Sequence, residues 1–255
     1  MEVGMEMTMK MTIEQFQRAF AVAKKDLLIY FLKGPTIIFG LLLPSFLFVA
    51  FAIGRDLSVD FLIPGLLGMT LFFTTSAVGP VIAPWETRMR TFERLVSTPI
   101  ALWGIILGDI IASFAFGLVI TLIVLAVGVV LLGIQVITLH LLVGTGIAAF
   151  CFSSLGLVIS SPPTSDPSQI MMLSTLIKFP LFLISGIFIP LTEMEGARVI
   201  SFMSPLTYYV DLARFSVQET SYFSPSVNLA ALAGFTILLC VTAISLHKKN
   251  LNRRF

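Results

Sequence analysis

Apolar positions run along this chain in blocks too long for the interior of a soluble domain. Gly34 to Gly54 and Phe61 to Pro84 contain no Asp, Glu, Lys or Arg, and neither does the whole stretch from Ile110 to Ser165. A helix crosses about 30 Å of hydrocarbon with about 20 apolar residues. At about 1.5 Å per residue the third stretch would be roughly 84 Å long, so it must turn back on itself. Gly133-Ile134-Gln135-Val136-Ile137-Thr138 is the best place for that turn, which predicts spans over 101–132 and 139–160. Ser161-Pro162-Pro163-Thr164-Ser165-Asp166-Pro167 is a strong helix breaker. Beyond it, further spans are expected over Ser168–Pro190 and Val227–Leu246. The pattern predicts an all-α integral membrane protein of six transmembrane helices.

Two polar segments carry helical periodicity instead of a spanning run. Ile13, Phe16, Phe20, Leu27 and Phe31 repeat at helical spacing, with Glu14, Arg18, Lys24 and Lys25 on the other side. That is an N-terminal amphipathic helix lying in the membrane interface, either an anchor or a contact surface for a partner. Between spans two and three, Trp85, Met89, Phe92 and Val96 step by four, three and four. They predict one helix over Trp85–Pro99 with an apolar face that must be covered by headgroups or by another protein. Glu86, Glu93 and Arg94 fall on its exposed part, and Glu86 can pair with Arg90 at i, i+4. A third segment, Leu191–Ser226, is too apolar for a free loop and is punctuated by Pro190, Pro205 and Pro225. It predicts short helices that dip back into the membrane and pack on the bundle, as a structural plug or as a gate.

Composition agrees with the pattern and charge adds a direction. Of 255 residues 57% are hydrophobic and only 12% charged, where a soluble domain has about 25% charged residues. A soluble enzyme and a disordered scaffold are both excluded. With the N-terminus inside, the internal segments hold twelve basic residues: Lys10, Arg18, Lys24, Lys25, Lys33, Arg88, Arg90, Arg94, Lys248, Lys249, Arg253 and Arg254. The external segments hold three, Arg55, Arg198 and Arg214. The positive-inside rule therefore places both termini in the cytoplasm. Ala50-Phe51-Ala52 resembles a signal-peptidase site, but the long polar lead before its apolar run argues against a cleaved leader.

Catalytic chemistry is missing from the motifs. His140 and His247 belong to opposite membrane faces, so no H-E-x-x-H zinc site forms, and no G-x-S-x-G occurs. No G-x-x-x-x-G-K-[ST] phosphate loop exists, so if ATP drives this protein another chain must bind it. Cys151 and Cys240 lie in apolar runs and suggest neither a metal site nor a disulfide framework. Two charges fall inside spans, Asp109 and Lys178, each about ten residues, or roughly 15 Å, from the inner start of its span. Buried ions usually pair, so the expectation is an Asp109–Lys178 pair or separate contacts with a wet inward cavity. The competing reading puts Lys178 on a path for an anionic substrate.

Three stretches together resemble the membrane subunit of an ABC type-2 exporter, in its drug, nodulation-factor and polysaccharide export branches. They are Glu86-Thr87-Arg88-Met89-Arg90-Thr91-Phe92-Glu93-Arg94-Leu95-Val96-Ser97-Thr98-Pro99, Ser185-Gly186-Ile187-Phe188-Ile189-Pro190, and Pro205-Leu206-Thr207-Tyr208-Tyr209-Val210-Asp211-Leu212-Ala213-Arg214. Many members carry Gly where this chain has Arg90. The resemblance implies a single permease domain over 1–255: an interfacial segment 1–33, a six-span bundle 34–247 and a cytoplasmic tail 248–255. It implies two permeases, a second copy or a homologue, working with two cytoplasmic ATPases that bind ATP and magnesium. It assigns no cofactor, metal or catalytic residue to this chain, and no nucleic acid partner, and it places the protein in a prokaryotic plasma membrane. Trp85, Glu86, Met89, Phe92, Glu93 and Arg94 would couple to the ATPase. Gly186, Pro190, Pro205, Tyr208, Tyr209, Asp211 and Arg214 would lie near an external gate, and Lys178 would sit near the path. Alternatives are a channel-like protein or a secondary transporter. The latter should show inverted repeats, and no internal symmetry stands out here.

Overall fold

The computed structural model describes residues 2–33, 36–38, 42, 44–46, 50, 59–132, 138–194, 196 and 198–253. The expected first span, Gly34–Gly54, and the expected turn at 133–137 lie largely outside these described residues. Among them every regular element is helical. α1 (Glu2–Asp26) passes into a single π-helical turn, Leu27–Phe31. α2 (Val59–Thr75) and α3 (Gly79–Arg88) follow, then α4 (Thr91–Val96), α5 (Leu102–Leu132) and α6 (Leu139–Ile159). α7 (Pro167–Leu183), α8 (Arg198–Ser201), α9 (Pro205–Gln218) and α10 (Pro225–Asn250) complete the chain, with a 3-10 turn at Leu251–Arg253.

Four helical stretches among the described residues are long and apolar enough to cross a membrane: Asp60–Arg88, Leu102–Val130, Leu139–Ile159 and Pro225–Arg253. Their ends follow from the breaker residues. Thr138 caps α6, its Oγ1 accepting from Leu141 N, and Asp166 caps α7, its Oδ1 accepting from Ser168 N at 2.9 Å. The expected span Ser168–Pro190 is shorter than anticipated. α7 has 17 residues, about 25 Å at 1.5 Å per residue, and its chain then turns through Gly186, whose φ of 81° glycine adopts without strain.

The expected span Phe61–Pro84 is two helices rather than one. Pro80 has no N–H to give the carbonyl four residues back, that of Ser76, and the helix opens over Ser76–Val78. Three successive hydroxyls close the end of α2, with Thr74 and Thr75 donating to Thr70 O (2.6 Å) and Leu71 O (2.7 Å) and Ser76 donating to Phe72 O.

α5 lies against both α1 and α2, and α10 runs along α6. α9 is buried against α2, α6 and α10, so the apolar stretch after Pro205 is part of the packed bundle. Its core is aromatic. Phe72 of α2 meets Phe152 of α6 at 5.1 Å, Phe73 meets Phe182 of α7 at 5.2 Å, and Phe152 meets Tyr209 of α9 at 6.5 Å, all edge to face. Helices pack this closely in lipid through small residues. A Cβ added at Gly117 of α5 would lie 2.1 Å from Thr75 Cγ2 and 2.9 Å from Thr75 N.

Gly117→Leu should therefore force α5 off α2 and cost about 1–3 kcal/mol. Gly128→Leu should be neutral, since nothing lies within 4 Å of a Cβ built there. Thermal unfolding of the two purified variants checks the difference.

Candidate functional site

Two polar clusters stand at opposite ends of the bundle. The first joins α1, α3 and α5 at the end where basic residues collect. Lys25 Nζ lies 2.8 Å from Asp26 Oδ1 and is paired with Glu86 Oε1. Asp26, Glu86 and Asp109 are all buried. Burial disfavours the charge on Lys25, but Asp26, Glu86 and Asp109 outweigh it and hold the ammonium above its ordinary pKa. The Tyr30 phenol is pushed up to about 12, by burial first and then by the Glu86 carboxylate. Tyr30 stacks on Trp85 at 5.6 Å. One helical stretch further back, Gln15 clamps the chain between α4 and α5. Its Nε2 donates to Pro99 O at 3.0 Å and its Oε1 accepts from Ala101 N at 2.8 Å, with Arg18 Nη1 also donating to Pro99 O.

α1 is held there by its small-residue face. Ala19, Val22, Ala23 and Asp26 are buried, while Ile13, Phe16 and Phe20 are exposed. Gly108 makes the contact possible, since a Cβ there would lie 2.7 Å from Ala19 O and from Val22 Cβ. Between α3 and α4 the backbone turns at Arg90, which has φ 54° and ψ 22°, the left-handed region that suits glycine. Around that turn Phe92 is buried (3% exposed), and Met89 (73%), Glu93 and Arg94 face outward.

The second cluster fastens α9. The Asp211 carboxylate accepts from Tyr222 N (2.8 Å), Phe223 N (2.9 Å) and Asn228 Nδ2 (2.9 Å), tying α9 to the start of α10. Arg214 Nη2 donates to Gly186 O at 2.7 Å and Ile187 O at 3.2 Å, beyond the end of α7. Tyr208 donates to Phe202 O at 3.0 Å and stacks on Phe223, and Tyr209 lies 3.0 Å from Thr145 Oγ1. Pro205 opens α9 at its first turn, where a missing N–H costs nothing. Beside the cluster is a cavity of about 410 Å³ lined by Phe61, Pro190, Glu193, Asp211, Arg214 and Tyr222, among others.

A family model described as ABC-2 type transporter matches residues 14–217, from early in α1 to the end of α9. The chain belongs to the ABC-2 type transporter family. It is a permease subunit of an ABC transporter and a multi-pass membrane protein. Among curated proteins none matches the chain.

Several residues of the permease sit differently from the expectation set by spacing. The Trp85–Pro99 stretch is two short helices, because Arg90 turns left-handed between them. Glu86 is not on an exposed face and does not pair with Arg90. It is buried against Lys25, which the sequence periodicity had put on the polar side of α1. Phe92 is covered within the subunit, so of the expected apolar face Met89 and parts of Trp85 and Val96 remain uncovered. Asp109 and Lys178 do not pair. Asp109 faces α1, while Lys178 Nζ donates to Ser76 O at 2.9 Å, the carbonyl that Pro80 leaves without a helical partner. Gln15, Asp26 and Gly108 carry much of the first cluster and were not anticipated. Asp26 was legible in principle, as a carboxylate in register with the small face Ala19, Val22 and Ala23. His247, read as an interfacial residue, is buried and donates from Nε2 to Leu157 O at 3.0 Å, fastening α10 to the end of α6.

Lys178→Met should leave the Ser76 carbonyl without a donor and cost about 1–3 kcal/mol. The exchange Asp109→Lys with Lys178→Asp should not restore stability, and unfolding of the two variants in detergent checks both outcomes. Arg90→Gly should stabilise the permease by about 1 kcal/mol, because glycine adopts the left-handed turn without a Cβ penalty. A raised unfolding midpoint is the measurement.

Proposed function

We propose that this permease is an exporter subunit that works as a pair with two cytoplasmic ABC ATPases, alternating between inward- and outward-open states. The observation that carries this reading is the α3–α4 projection. It is anchored from within by Phe92 and by Glu86 on Lys25, and it presents Met89, Glu93 and Arg94 outward with nothing among the described residues over them. α1 braces the same projection through Gln15 and Arg18 on the Pro99 carbonyl, so a push on α4 is transmitted to α5. The chain itself has no phosphate loop to bind ATP. In this reading α7 and the segment 34–54 complete six spans, both termini are cytoplasmic, and the basic residues at the α1, α3–α4 and α10 ends meet the cytoplasmic surface. α9, with Tyr208, Tyr209, Asp211 and Arg214, and the Gly186–Pro190 turn then border the external gate. The resemblance to the drug, nodulation-factor and polysaccharide branches supports export of an amphipathic or glycan substrate.

The test is a double variant, Met89→Asp with Arg94→Glu. Purified from its native membrane, the wild-type permease should carry a chain bearing G-x-x-x-x-G-K-[ST]. The variant should insert and unfold like the wild type yet lose that chain at least tenfold. Full retention would assign the α4 surface to the lipid headgroups instead.

A further inference from the structure

The junction of α1, α3 and α5 holds more acid than base. Three carboxyl groups, Asp26, Glu86 and Asp109, are buried around one ammonium, that of Lys25. Lys25 is shared between Glu86 and Asp26 Oδ1, which leaves Asp109 with no cation in contact among the described residues. The remaining titratable group in the cluster is the Tyr30 phenol, which carries no charge to offset the acids.

The two aspartates meet each other. Their carboxyl groups are within hydrogen-bonding reach, yet Asp26 Oδ2 and Asp109 Oδ1 are buried and receive no N–H or O–H donor. Two ionised carboxylates in that position would repel, and a buried charge without a partner is strongly unfavourable. The close approach of the two helices is set by Gly108, the residue next to Asp109, which packs on Ala19 and Val22 of α1. Among the described residues no three acidic, His or Cys side chains converge as metal ligands, and the Lys25 ammonium already occupies the cationic position. A proton is the ligand that fits. It converts the contact from two facing acceptors into an O–H···O bond and removes one negative charge from the cluster.

We propose that Asp26 and Asp109 hold a single proton between them, making the α1–α5 contact a proton site of the permease. The proton is a fastener. While it is present α1 is bonded to α5, and any movement of α1 that parts the two carboxyls releases it. Because α1 also grips Glu86 through Lys25 and the Pro99 carbonyl through Gln15, the same movement displaces α3 and the α4–α5 chain. The site does not depend on which ATPase or substrate the permease uses.

Infrared spectroscopy tests it on the full-length permease in phosphatidylcholine nanodiscs at neutral pH, with and without carboxyl-¹³C aspartate. The expected result is a protonated carboxyl C=O band that shifts with the aspartate label. It should vanish in Asp109→Asn, move in frequency in Asp26→Asn, which removes the partner of the O–H···O bond but leaves Asp109 buried with no cation, and persist in Glu86→Gln. Absence of a label-sensitive band in the wild type would show both aspartates ionised and overturn the proposal. A band that keeps its frequency in Asp26→Asn would give the proton to Asp109 alone and overturn it as well. Should an Asn variant not fold, Asp109→Glu replaces it, and its band must move in frequency. A band that stays in place would belong to another aspartate and sink the assignment.

Discussion

Where no water reaches, a backbone carbonyl released by a proline has to be answered by another part of the chain. In this permease the Ser76 carbonyl, opened by Pro80, is answered by Lys178 from α7. Much of the arrangement at the basic end depends on that answer. Beyond the break α3 carries Glu86 to Lys25 and Trp85 to Tyr30. The lysine thus serves a helix other than its own, and it is buried where an unmatched ammonium would be strongly unfavourable.

Much of the bundle was legible in the chain. The spans now seen as α5, α6 and α10 end within a few residues of where Gly133–Thr138, the Ser161–Pro167 breaker and the C-terminal basic run put their limits. What was not legible were partners. Hydropathy periodicity assigns a residue to a face and says nothing of what that face meets. It singled out the large apolar residues Ile13, Phe16 and Phe20 of α1, and these are exposed, while the packing is done by Ala19, Val22 and Ala23 against Gly108. The two intramembrane charges were paired in expectation because only the two were visible inside spans. Lys25 and Asp26, which precede the first span, and a freed carbonyl, which no side-chain pattern reveals, took them instead. The turn at Arg90 did leave a trace, since the resemblance set glycine against this position, and glycine is the residue that suits a left-handed backbone.

The two ends of the molecule solve the same problem with different chemistry. At the α9 end each buried ion is answered by uncharged groups: the Tyr222 and Phe223 backbone N–H and the Asn228 side-chain amide serve Asp211, and two carbonyls receive Arg214. Such contacts are specific in geometry and weld α9 to α7 and α10. At the basic end the ions answer one another, and Lys25 is divided between competing carboxylates. Ion-to-ion contacts re-pair readily when helices shift, whereas backbone clamps have to be broken. The permease is built stiff at one end and adaptable at the other.

The left-handed residue between α3 and α4 gives that adaptable end a bias. Arg90 sits about 1–2 kcal/mol above the right-handed conformation that would run Gly79–Val96 into one continuous rod. The bend behaves as a cocked elbow. A glycine in its place would flex freely in both senses, whereas this residue resists further folding and favours straightening.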